Sequence, residues 1–325
     1  MVEEVQVVEA PRRAAIRLEN VDWRVVGAVA VTVTVWASAF PAIRAGLAAY
    51  APVHVALLRF LVASAALGVI AVITRMQLPA LRDWPAIAAT GFLGVFTYHI
   101  SLNTGELTVA PGTASVIVAA APVITALMAV IFLRERLSAW GWLGIAICFG
   151  GVTYIALGGG EGLALDPRGL FVVVAAVAQG VFFASQKPLV ARLGALRYTT
   201  CALWAGAVML LIFTPGLVEQ IQAAPPAATL AVAFLGIFPS AIGYATWAYA
   251  LSRIPASRAS SFLYLVPALA FLISWIWLGE LPILSDIVGG LIVLAGVIMV
   301  NTWGKAKAAS QLAAAEQELP DFNLR

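Results

Sequence analysis

Residues 114–135 read ASVIVAAAPVITALMAVIFLRE, and residues 259–280 read ASSFLYLVPALAFLISWIWLGE. Ala114 and Ser115 answer Ala259 and Ser260, and Pro122 answers Pro267. Leu127, Ile131, Leu133 and Glu135 answer Leu272, Ile276, Leu278 and Glu280, every pair 145 residues apart. The register continues downstream, where Gly144, Ile147, Gly151 and Val152 match Gly289, Ile292, Gly296 and Val297. Upstream, FLGVF at 92–96 matches FLGIF at 234–238 at a spacing of 142, as if one loop had gained three residues. Long-range self-similarity in an apolar chain marks a secondary transporter built from two homologous halves.

The 325 residues are 62% hydrophobic and 11% charged, with a mean hydropathy of +0.97. A soluble domain has no interior large enough for that much apolar surface, so the bilayer is the expected solvent. Ten runs are long enough to span it: Val25–Ile43, Val53–Ile73, Pro85–Leu102, Val109–Leu133, Ala139–Leu157, Gly169–Gln186, Tyr198–Thr214, Ala227–Leu251, Ser257–Leu278 and Ile283–Trp303. They are continuously apolar and rich in Gly and Ala, without the alternation of a membrane barrel strand. The expected fold class is therefore an all-α polytopic membrane protein of ten helices.

Ten spans divide the loops between two faces. One face receives 16 of the 19 Lys and Arg; the other holds only Arg44 and Arg168, and Arg59 lies within a span. That asymmetry predicts cytoplasmic termini. The first 23 residues carry Glu3, Glu4, Glu9, Arg12, Arg13 and Arg17 without an apolar core, so no cleavable signal is expected. The net charge of +3 belongs to this basic fringe and implies no nucleic-acid partner. Cys148 and Cys201 both fall inside spans and read as small core residues, neither disulfide nor metal site.

The organisation follows: residues 1–24 form a cytoplasmic segment, 25–157 a first five-helix repeat, 158–168 a glycine-rich linker, 169–303 a second repeat, and 304–325 a cytoplasmic tail. Five crossings end on the side opposite their start, so the second repeat is expected to sit inverted relative to the first. Inverted repeats can exchange conformations around a central site, the physical basis of alternating access.

Ionisable groups within a bilayer are functional candidates. No Asp or Glu lies in the interior of a span; Glu106, Glu135, Glu280 and Asp286 sit at ends or in loops. An organic-cation exchanger is expected to bury a carboxylate, and a phosphate carrier to gather more central basic charge. An uncharged or zwitterionic substrate fits best. The mid-span aromatics are Trp36 and Phe40, four apart on one face of the first span, Tyr98 in the third, Phe182 and Phe183 in the sixth, and Tyr244 and Trp247 in the eighth. They suit either a pocket for a bulky apolar metabolite or plain helix packing. Pro122, Pro239 and Pro267 fall within spans, where a missing N–H bends the helix and frees carbonyls.

The doubled Ala-Ser…Pro…Leu-x-Glu pattern, with the Gly-x-x-Ile-x-x-x-Gly-Val stretch after it, resembles the EamA type of the drug/metabolite transporter superfamily. The overall sequence is most similar within it to the YddG-type aromatic amino acid exporters of bacterial inner membranes. The resemblance covers about residues 25–303. It implies a ten-helix basket whose cavity is built mainly from spans one, three, four, six, eight and nine, with five and ten at the periphery. On that basis Trp36, Phe40, Tyr98, His99, Gln179, Phe182, Tyr244 and Trp247 are the expected substrate contacts. Arg59, on a span expected to stay off the cavity, and Pro122, Pro239 and Pro267 are assigned structural or gating roles. Ser38, Asn103, Ser115, Thr125, Ser185 and Ser240 are further polar candidates.

The expected activity is export of aromatic or other apolar amino acids across the inner membrane, with no cofactor. Broad export of drugs or quaternary amines by the same fold is the alternative. An intramembrane enzyme finds no nucleophile-and-base motif, and no P-loop is present. Ten helices enclose a cavity unaided, so a monomer in the lipid bilayer is expected.

Overall fold

The computed structural model describes residues 22–109, 111–133, 135–158, 168–278 and 284–303. The two terminal segments, most of the 158–168 linker and Glu280 lie outside them. Among the described residues the chain is helical, with no strand. Seven helices are long and apolar enough to cross a membrane. They are α1 (Trp23–Leu47), α2 (Pro52–Ile73), α3 (Leu81–Gly105), α6 (Gly169–Leu193), α7 (Ala195–Phe213), α8 (Pro226–Leu251) and α9 (Ala256–Trp277). Three further segments are α4 (Pro111–Val118 with Ala121–Phe132), α5 (Ala139–Gly158) and α10 (Leu284–Trp303). Their continuous apolar stretches, Ala121–Phe132, Ala139–Gly151 and Ile287–Val300, are shorter.

Proline and glycine set many of the limits. Pro52 opens α2, Pro226 opens α8, and Gly194, at φ 84°, ends α6 in the left-handed region open to glycine. The α6 helix runs two turns beyond its expected end at Gln186, carrying Pro188 within it. In α4 the helix breaks at Ala119–Ala120 and restarts with Pro122 in its first turn, where a missing N–H costs no hydrogen bond. The run expected as a fourth span, Val109–Leu133, is thus two helices rather than one.

The FLGVF and FLGIF stretches behave alike. Phe92–Thr97 in α3 and Gly236–Ile242 in α8 are both π-helical, with Phe92 stacked on Phe96 and Phe234 on Phe238. Pro239 lies in the second wide turn, and its counterpart in the first is Thr97, so proline is not the common cause. A wide turn frees carbonyls from the ordinary ladder. Gly94 O accepts from the Tyr244 hydroxyl at 2.9 Å, and Pro239 O accepts from the Trp36 indole at 2.9 Å.

Helices α5 and α10 pack against each other over their length. A Cβ on Gly144 would stand 3.0 Å from the Gly296 carbonyl, and one on Gly151 3.0 Å from the Gly289 carbonyl. The pairing runs antiparallel, and Cys148 Sγ donates to Val293 O between the two contacts. In lipid, where no hydrophobic force joins helices, such small-residue seams permit close backbone approach.

Candidate functional site

The cavity lies between helices of the two halves of the chain, among them the interrupted α4 and the α3 and α8 helices with their π-helical turns. About 580 Å³ of empty space, its mouth included, is lined by α1, α2, α3, α4, α6, α8 and α9. From α1 come Trp36, Phe40 and Ile43; from α3, Tyr98 and Leu102; from α4, Ser115 and Pro122; from α6, Gln179 and Phe183; from α8, Tyr244; and from α9, Leu263 and Val266. Helix α2 contributes Arg59.

One side is an aromatic wall. Trp36 stacks on Phe183 with 5.5 Å between ring centres and 9° between planes, and meets Tyr244 edge-on at 5.5 Å. Gly243 makes room for the indole, since a Cβ there would lie 2.5 Å from Trp36 Nε1. Trp247 stands behind this layer, 4.5 Å from Phe183 and 5.7 Å from Trp36.

The other feature is a buried polar chain. Arg59 is 2% exposed. Its Nε donates to Ser240 Oγ at 2.6 Å, and Nη1 donates to His99 Nδ1 at 3.3 Å. Since Arg supplies only protons, His99 accepts at Nδ1 and donates from Nε2 to the Tyr244 hydroxyl at 3.0 Å. The Tyr244 hydroxyl in turn donates to Gly94 O. The imidazole is thereby held neutral in one tautomer and spans α2, α3 and α8. Among the described residues no carboxylate lies within ion-pair distance of Arg59. The cavity also presents Gln179, whose side-chain oxygen has no hydrogen-bond partner.

The expected contacts therefore divide. Trp36, Phe40, Tyr98, Gln179 and Tyr244 line the cavity. His99, Phe182 and Trp247 are packed behind it: His99 is held between Arg59 and Tyr244, Phe182 packs at Gly94, and Trp247 backs the aromatic wall. Phe183 lines the cavity in place of its neighbour. Arg59 is the main correction. On sequence it belongs to a helix expected to stay off the cavity, yet its side chain lines it. The cause is the close crossing of α2 and α8, where a Cβ on Gly236 would stand 2.6 Å from Arg59 O. The Ser–Arg–His bonding needs that approach and has no signature in composition.

Pro122 lines the cavity, Pro239 holds Trp36 through its carbonyl, and Pro267 is beside the lining residue Val266. Ser38, Ser115 and Thr125 donate to backbone carbonyls, and Asn103 donates to Pro52 O at 3.0 Å. Glu106 stands at the end of α3, directly after Gly105, and is also wholly buried, which its place in the sequence did not indicate.

Two stretches of the chain, 23–157 and 168–302, each match the profile of the EamA-like transporter family. The chain belongs to the EamA-like transporter family. Among its relatives, this EamA protein is 43% identical to the uncharacterized transporter YdfC of Bacillus subtilis over 81% of the chain and 86% of that protein. It is 41% identical to a protein of Streptantibioticus cattleyicolor named a probable terminal-alkyne amino-acid exporter, over 88% of the chain and 97% of the relative. A solved crystal structure shares its fold at a TM-score of 0.69, with 19% identity, over 90% of this chain and 98% of that one. The chain is therefore an EamA transporter, a multi-pass membrane protein whose relatives are named as transporters.

Proposed function

We propose that this protein exports amino acids with apolar or aromatic side chains across the bacterial inner membrane by alternating access. The observation that carries the reading is Arg59: a buried guanidinium lining the cavity with no carboxylate partner among the described residues. A buried cation with no carboxylate at pairing distance is expensive and finds its complement in an incoming carboxylate. The unpartnered oxygen of Gln179 suits the ammonium of the same zwitterion, and the wall of Trp36, Phe40 and Phe183 suits its apolar side chain. The amino-acid exporter named among the relatives supports the same class.

Ten spans in two inverted five-helix repeats, with both termini cytoplasmic, complete the proposal. Its support is the mirrored seam between α5 and α10. Gly144 meets Gly296 while Gly151 meets Gly289, and 144 with 289 and 151 with 296 are the repeat mates. Exchanging the halves of an antiparallel pair reproduces both contacts, as a two-fold axis across the helices requires. The 16-to-2 basic bias supports the orientation.

Export of organic cations fits less well. The cavity wall offers a cation and, among the described residues, no acid. Cells expressing the protein should tolerate a toxic amino acid with an aromatic or terminal-alkyne side chain and gain nothing against ethidium. Protection against ethidium alone would favour the drug exporter.

A further inference from the structure

Glu106 follows the last residue of α3 and is wholly buried, and neither of its carboxyl oxygens has a hydrogen-bond partner. An ionised carboxylate so placed would be an uncompensated buried charge, so the closed arrangement favours the neutral acid. The groups around it come from three other helices. Arg44 of α1 donates from Nη1 to the backbone carbonyl of Glu106 at 2.8 Å, from an exposed position. Arg59 of α2 is the second cation that acts on this carboxyl through space. The start of α6 closes the side, with the Arg168 carbonyl 3.3 Å from where a Gly105 Cβ would lie. His54 is turned to other partners, Gln220 and the Pro215 carbonyl. The junction adjoins one end of the cavity without lining it: Leu102, one turn before Glu106, and Ile43, beside Arg44, both line the cavity.

We propose that Glu106 is a proton-binding site that is loaded whenever this end of the cavity closes. With α1, α2, α3 and α6 drawn together, the carboxyl is buried and carries its proton. When they part, water reaches it, the proton leaves to that water, and Arg44 is the cation at hand to pair with the carboxylate. Closure must take one proton back from the same side, which the basic bias makes the outside. An acidic exterior thus favours closure at that face after the solute has left. The inference rests on the cavity as the transport route and not on which solute it carries.

Accessibility tests it without a substrate. Leu102→Cys, in cells expressing the full chain, is labelled from outside with an impermeant thiol reagent between pH 5.5 and 8.5. Cys148 and Cys201 are buried and give a quiet background. The same cysteine with Glu106→Gln corrects for the thiol's own titration. The ratio of the parent's labelling rate to that reference should fall several-fold on acidification, because Glu106→Gln keeps this end closed at every pH. Should Glu106→Gln fail to fold, Arg44→Gln decides: losing the cation that favours ionisation must move the midpoint to higher pH. Identical profiles in parent and Glu106→Gln, a midpoint unmoved by Arg44→Gln, or no labelling from outside at any pH would each overturn the proposal. Because no solute is present, such a failure leaves the amino-acid reading standing, and failed amino-acid transport leaves this one standing.

Discussion

Arg59 concentrates the argument at the scale of single residues. Its guanidinium is fixed by Ser240 and His99, so it meets a ligand with little motion left to lose. Arg59→Gln keeps a donor and removes the charge. The loss of a charge-assisted bond, on the order of 1.5–3 kcal/mol, predicts roughly 10- to 150-fold weaker amino-acid binding at matched expression. Tryptophan-fluorescence titration would read it directly. Gln179→Ala removes the unpartnered acceptor and should weaken binding by about 1–3 kcal/mol, whereas Trp303→Phe, at an exposed helix end, should be silent. Parental affinity in folded Gln179→Ala would remove that residue from the site. Trp36, Phe40, Tyr98 and Tyr244 were visible in the sequence as mid-span aromatics. Which of two adjacent phenylalanines, Phe182 or Phe183, faces inward was not, because that depends on the rotation of α6. Arg59 and Glu106 escaped for a related reason: depth along a span says little about burial once helices cross closely.

At the scale of elements, two contacts hold helices that share few hydrogen bonds. Glu135 collects the Lys187 ammonium, the N–H groups of Ala256 and Ser257 at 2.8 and 3.2 Å, and the Ser257 hydroxyl at 2.8 Å. It thus caps the first turn of α9 and ties it to α6. Burial works against its charge, but the bonds from Lys187, Ala256 and Ser257 outweigh it and hold the carboxyl below the usual range. A depressed carboxyl stabilises the fold above its unfolded pKa, and that share is lost as pH falls through the folded value. Glu135→Gln should therefore lower the melting temperature at pH 7, and its gap from the parent should narrow as the pH drops below about 4. A gap that stayed constant with pH would rule out the charge as the cause. In the α5–α10 seam, a Cβ on Gly296 would stand 2.7 Å from the Gly144 carbonyl, whereas Gly150 has open space. Gly296→Ala should cost about 1–3 kcal/mol by overpacking and Gly150→Ala nothing measurable, as thermal unfolding in detergent would show. The described helix limits mostly fall within a few residues of expectation, since apolar length and proline set them. The π-helical turns in α3 and α8 were not legible, because a wide turn has no residue signature; one contains Pro239 and the other none.

For the whole molecule, the 145-residue register and the mirrored glycine seam support one machine made of two opposed halves with its cavity between them. The family came through in the sequence because the duplicated motif is long and regular. The substrate was not legible beyond an expected class, since affinity is written in a few side chains whose convergence is a property of packing. The decisive measurement is counterflow of labelled phenylalanine in proteoliposomes, challenged with unlabelled phenylalanine or with phenethylamine, its decarboxylated form. If Arg59 receives the carboxylate, the amino acid exchanges and competes, the amine does not, and Arg59→Gln abolishes the distinction along with most of the flux. Equal competition by the amine, or parental exchange by folded Arg59→Gln, would contradict it.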